Sequence, residues 1–167
     1  MKVIKSMETT DSILTYSNIA ENEYPVWVSN KAYVSGNKVI YQHKIYEAIL
    51  PVTSATPPDL DQDKWLFLDY TNKYRMFNNV LSDKSSRVGG IHFTLRPSQV
   101  VTGIALIGVS ASYVRVKVTD PVLGIVYDET KSLMDISTVN TYFEYFYQPL
   151  DSAKGAVAFL SLPVAPT

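Results

Sequence analysis

The run Tyr113-Val114-Arg115-Val116-Lys117-Val118 alternates valine with larger or charged residues without a break, and a period of two is that of a β-strand with one buried face. The three valines then face a core while Arg115 and Lys117 face water. Directly afterwards, Asp120-Pro121-Val122-Leu123-Gly124 supplies turn chemistry: proline presets φ, the Asp carboxylate accepts from nearby backbone and glycine takes positive φ. Residues 125–128 are therefore its antiparallel partner. Further β-type runs at 90–95, 100–109, 142–147 and 156–160 recur between turn residues, which predicts an antiparallel β-sandwich. The run 100–109 is apolar on both faces and predicts a central strand covered on both sides. A buried helix is the competing reading, disfavoured by Gly103, Gly108 and the β-branched residues between them.

The amino-terminal half predicts a smaller unit. Val39 and Tyr41 alternate with Lys38 and Ile40, and a second β-rich run at 45–49 follows Gln42-His43-Lys44, the pattern of a hairpin with a short loop. Pro51, Pro57 and Pro58 mark an irregular loop, and Trp65-Leu66-Phe67-Leu68 closes the module as a short strand. Residues 1–24 lack sustained periodicity and read as an extended arm with one short strand at 12–16, in need of a surface that a neighbouring subunit can supply. The expected domains are thus an arm at 1–24, a three-stranded module at 25–70 and a sandwich at 71–167, an all-β chain throughout.

Composition excludes several functions. Fifteen basic against sixteen acidic residues give a net charge of −1, which offers no excess positive potential to a phosphate backbone, so no nucleic-acid partner is expected. Cysteine is absent, and thiolate nucleophiles, disulfides and zinc-thiolate sites go with it. The first ten residues hold no apolar run of signal-peptide length, and no later stretch approaches the roughly 18 apolar residues that span a bilayer, so membrane insertion is not expected and assembly in a cytoplasm is.

Chemistry-bearing patterns are sparse. His43 and His92 are the only histidines, and neither has an acid or nucleophile at motif spacing, so no catalytic residue is expected. Asp59-Leu60-Asp61-Gln62-Asp63 begins like a calcium loop, but Lys64 replaces the required glycine and Tyr70 the bidentate Glu, so a solvated acidic loop is expected and no metal. Val88-Gly89-Gly90-Ile91 lacks the lysine and spacing of a phosphate loop and reads as a turn. No cofactor is implied. The run Tyr142-Phe143-Glu144-Tyr145-Phe146-Tyr147 places aromatics on both faces of an expected strand. Tyr142, Tyr145, Phe146 and Tyr147 are therefore candidate protein-interface residues, with cover by a loop or the arm of the same chain as the alternative.

Trp27, Tyr33-Val34, Gly36, Val39, Tyr41, Tyr46, Ala48, Pro57 or Pro58, and Trp65 fall in an order that resembles the chitin-binding-type carbohydrate-binding modules of bacterial chitinases. Trp27, Tyr46 and Trp65 are the candidate glycan-binding residues on that resemblance, and core aromatics on the alternative. Where the family commonly places exposed stacking aromatics, Ile49-Leu50-Pro51-Val52 stands here. A longer resemblance, to small proteins from the tail gene clusters of tailed phages and prophages, is carried by Glu23-Tyr24-Pro25-Val26-Trp27, Thr71-Asn72-Lys73-Tyr74-Arg75-Met76-Phe77, residues 113–121, Gly124-Ile125-Val126-Tyr127-Asp128 and Tyr142-Phe143-Glu144-Tyr145-Phe146. It implies a non-enzymatic virion tail or fibre-attachment protein assembled in the host cytoplasm, with a galactose-binding-like jelly roll as its second domain. Its implied partners are other tail proteins and further copies of itself in a symmetric ring. Recognition of a host-surface or cell-wall glycan is the alternative function.

Overall fold

The computed structural model describes residues 7–134, 155–160 and 162–163. The chain is all-β, with 42% of residues in strands and 4% helical. It forms two compact units, Glu8–Leu95 and a second beginning at Arg96.

The first unit is built on strands β1 (Leu14–Ser17), β2 (Ala32–Tyr33), β3 (Lys38–Tyr41), β4 (Lys44–Ala48), β5 (Val52–Thr53), β6 (Trp65–Tyr70) and β7 (Phe93–Leu95). Its centre is an antiparallel sheet in the order β3-β4-β6. Tyr41 pairs with Lys44, leaving a two-residue turn in which Gln42 and His43 take φ of 47° and 63°. Positive φ at both positions is the primed hairpin geometry that Asn-Gly fills most easily; here larger residues accept it. The core gathers Tyr33, Val39, Tyr46, Ala48, Val52 and Trp65, with Trp27 and Tyr41 packed at its margin. Tyr33 meets Trp65 edge-on at 5.2 Å and Trp27 meets Tyr41 at 5.4 Å, the arrangement ring quadrupoles favour. Each buried aromatic contributes about 1.5–3 kcal/mol through area alone.

The arm docks on its own chain. Leu14 and Ser17 pair with Leu95 and Phe93, and Ile13, Leu14 and Ile19 are buried. Asn18 extends the pairing: its Nδ2 donates to the Gly90 carbonyl at 3.2 Å and its Oδ1 accepts from the His92 amide at 2.9 Å. Residues 71–95 therefore belong to the first unit, and the division falls at Leu95/Arg96 rather than near residue 70. β7, expected as part of the sandwich, serves instead as the partner of the arm. The Gly89-Gly90 turn takes φ of 81° and 98°, as a glycine pair permits.

The second unit contains β8 (Gly103–Val109), β9 (Tyr113–Asp120), β10 (Gly124–Ser132) and β11 (Gly155–Leu160), paired antiparallel as β9–β10 and β8–β11. Val114, Val116 and Val118 turn inward with Ile104 and Tyr127 around Phe159, which is fully buried. Arg115 faces outward, as the alternation predicts, and its guanidinium is held by Asp128 across the hairpin. Lys131 lies across this core, its Nζ 4.5 Å from the Phe159 ring centroid and donating to the Ala158 carbonyl at 2.7 Å. The expectation of a strand covered on both sides at 100–109 is not met: β8 alternates, with Ile107 63% exposed. Tyr142, Tyr145, Phe146 and Tyr147 lie outside the described residues.

Candidate functional site

A groove of about 520 Å³ opens on the first unit, lined by Lys44, Tyr46, Pro58, Asp59, Gln62, Trp65, Leu66 and Phe67. Strand period sets its floor. Lys44 and Tyr46 share one face of β4, and the register brings Phe67 beside Tyr46 and Trp65 beside Ala48. The short 3-10 turn Pro58–Leu60 forms a wall, begun by Pro57 and Pro58, whose fixed φ suits the start of such a turn. Asp61 leaves the groove to bind Lys64 Nζ at 3.2 Å.

The β4–β6 ladder skips a residue: Ile45 pairs with Asp69 and Tyr46 with Phe67, so Leu68 has no counterpart. A bulge of this kind breaks the in-out alternation, and Leu66, Phe67 and Leu68 are exposed in succession at 51%, 46% and 38%. Phe67 is braced edge-on by Tyr46 at 5.9 Å and Tyr70 at 5.7 Å. Among the described residues β6 pairs only with β4, so these side chains stand on a sheet edge.

Two buried polar atoms of groove residues have no hydrogen-bond partner, the Trp65 indole Nε1 and Asp59 Oδ1. Burying such a group unpaired costs about 1–3 kcal/mol, and both atoms lie beneath the groove surface rather than open to it. Burial also raises the Tyr46 hydroxyl above its ordinary value of 10.0, which keeps it neutral.

A second cluster joins the arm to the module. His43 Nδ1 lies 2.8 Å from Glu21 Oε1 and Nε2 lies 3.0 Å from Asp11 Oδ2, and the ring stacks on Tyr74 at 3.8 Å. Thr71 Oγ1 donates to Glu21 at 2.7 Å, Lys73 Nζ approaches the other Glu21 oxygen at 3.4 Å, and the Tyr74 hydroxyl donates to Asp11 at 2.5 Å. The Tyr74 and His43 bonds hold the Asp11 carboxyl below its ordinary value. Burial first, then the bond to Asp11, pushes the Tyr74 hydroxyl well up. Among the described residues His43 bonds to Glu21 and Asp11 rather than to a serine or threonine hydroxyl, and the cluster works as a clamp. Sequence spacing could not reveal it, because Asp11 and Glu21 lie 32 and 22 residues from His43.

Of the candidate glycan-binding residues, Tyr46 and Trp65 are 5% and 2% exposed and Trp27 is half-buried. The exposed ring is Phe67, which the sequence reading did not single out. Its signal was the unbroken apolar run Trp65-Leu66-Phe67-Leu68 in a short strand, too apolar for one buried face. Among the described residues no group of three His, Asp or Glu side chains is placed to hold a metal ion. No family model matches the chain, and neither a curated protein nor a solved structure matches it.

Proposed function

We propose that the chain is a non-enzymatic structural component of a phage virion tail, an adaptor or fibre-attachment protein that docks onto other tail proteins. The observation that carries this reading is the exposed apolar triplet Leu66, Phe67 and Leu68 on the edge strand β6. Contiguous exposed apolar side chains of this kind mark interaction surfaces. The motif resemblance to tail-cluster proteins supplies the location: a virion tail, assembled in the host cytoplasm, with copies arranged in a symmetric ring and the second unit acting as a galactose-binding-like jelly roll. Biolayer interferometry of the purified chain against each co-encoded tail protein tests it. At least one is expected to bind, and the double substitution Leu66→Asp with Leu68→Asp to weaken that binding by roughly tenfold or more, the worth of one buried apolar side chain. Binding to none of them, or binding unmoved by the substitutions, contradicts it.

A second reading, recognition of a host-surface or cell-wall glycan, is favoured by the groove. A sugar ring offers an apolar face to Phe67 and hydroxyls that can pair with the groove side chains Lys44 and Gln62. A glycan array probed with wild type and Phe67→Ala separates it from the first: it requires a hit that the substitution abolishes.

A further inference from the structure

We propose that the Arg87–Val88 bond is a processing site for a protease of trypsin-like specificity, and that cutting it makes the link between residues 1–87 and 88–167 a releasable one. Residues 78–92 hold neither helix nor strand, and Ser86 to Gly90 are exposed without a break, Val88 by 97%. Nicking concentrates on such loops, because a protease must draw several residues into an extended form and local opening is cheap there. Among the described residues no hydrogen bond holds the amide of Val88 or Gly89. The Arg87 guanidinium donates within the turn, to the Val88 and Gly90 carbonyls at 3.3 Å and 3.0 Å, a hold that an acidic specificity pocket replaces.

The basic residues nearby are each disqualified by their surroundings. Lys73 is engaged by Glu21 at 3.4 Å, and Arg75 by Asp69 at 3.0 Å inside the 3-10 turn Arg75–Phe77. Lys84 stands between two pinned residues: the Asp83 carboxylate accepts from Asn78 Nδ2, and the Ser85 hydroxyl accepts from the Met76 amide at 3.0 Å. Arg96 precedes Pro97, whose ring-closed nitrogen obstructs cleavage and restricts the residue before it. Arg87 is the residue that remains.

Water adds across the bond, leaving a carboxylate on Arg87 and an ammonium on Val88. The piece 1–87 keeps the arm and β1 to β6, while 88–167 carries β7 and all that follows. Upstream, Asn72 pins Ser86 through two bonds of 2.8 Å, so the new end stays in place. Within the first unit the pieces are then joined by the β1–β7 pairing, by the Asn18 bonds to Gly90 and His92, and by Phe77 edge-on to Phe93 at 5.6 Å. A two-stranded pairing this short is marginal by itself, and without the covalent tether its occupancy follows concentration. The inference goes beyond the adaptor reading and does not depend on it.

Brief digestion of the full chain with trypsin, read by intact mass, tests it on wild type, Arg87→Gln and Arg87→Lys. Wild type is expected to yield a fragment beginning at Val88 before any other bond between residues 8 and 95 is cut. Arg87→Gln is expected to abolish that fragment and Arg87→Lys to keep it, with circular dichroism melts showing that both variants fold as wild type does. Gel filtration of the nicked wild type is expected to show one species when concentrated and two on dilution. An earlier cut elsewhere within residues 8–95, a Val88 fragment that survives Arg87→Gln, its loss in Arg87→Lys, or a nicked chain that stays whole at every dilution overturns the proposal.

Discussion

His43 brings the arm, the hairpin turn and the segment after β6 to a single ring, with a carboxylate at each nitrogen and Tyr74 stacked beneath. Replacing it by alanine removes both bonds and leaves Asp11 and Glu21 facing each other, at a cost of about 1–2 kcal/mol. Limited proteolysis should then cut the arm faster while the three-stranded sheet persists. The clamp also has a pH signature. Asp11 is held below its ordinary 3.8, so its contribution is present above that value and lost as pH falls beneath it. Tyr74 is raised above its ordinary 10.0, so its contribution is present below that value and lost as pH climbs past it. The melting-temperature advantage of wild type over Asp11→Asn should therefore be flat near neutrality and shrink in acid. Asp11 is largely exposed, and about 1 kcal/mol is the scale expected.

At the scale of elements, the β3–β4 turn carries the clearest local cost. Gln42 at φ 47° occupies a position that asparagine fills with less strain. Gln42→Asn should stabilise by about 0.5 kcal/mol, a rise of roughly 2–4 °C in melting temperature for a unit of this size. Phe159→Ala should instead cost about 3–5 kcal/mol, because that ring is fully buried at the centre of the second unit; calorimetry should show the unit containing β8 to β11 melting first. The hairpins were legible in sequence because alternation at 113–118 and turn chemistry at 120–124 are local signals. The partner of β1 was not legible. Leu14 meets Leu95, 81 positions further along the chain, and a three-residue strand such as β7 has too short a period to declare which unit it serves.

For the whole molecule, the division into two units and the side to which 71–95 falls depend on long-range contacts: Asn72 to Glu23 and Ser86, Thr71 to Glu21, and Asn18 to Gly90. No composition shift marks the change at Arg96. The candidate site was half legible. The aromatics at 27, 46 and 65 do gather, but as core, while the surface they leave is defined by a bulge at Leu68 that only the register discloses. The exposed apolar edge beside the groove is the surface on which the proposed tail-docking role rests. Immunogold electron microscopy of purified virions with antibody to this protein tests that placement most directly. Gold at one fixed level of the tail is the predicted result; virions free of label, with the protein found only in the host lysate, would contradict it.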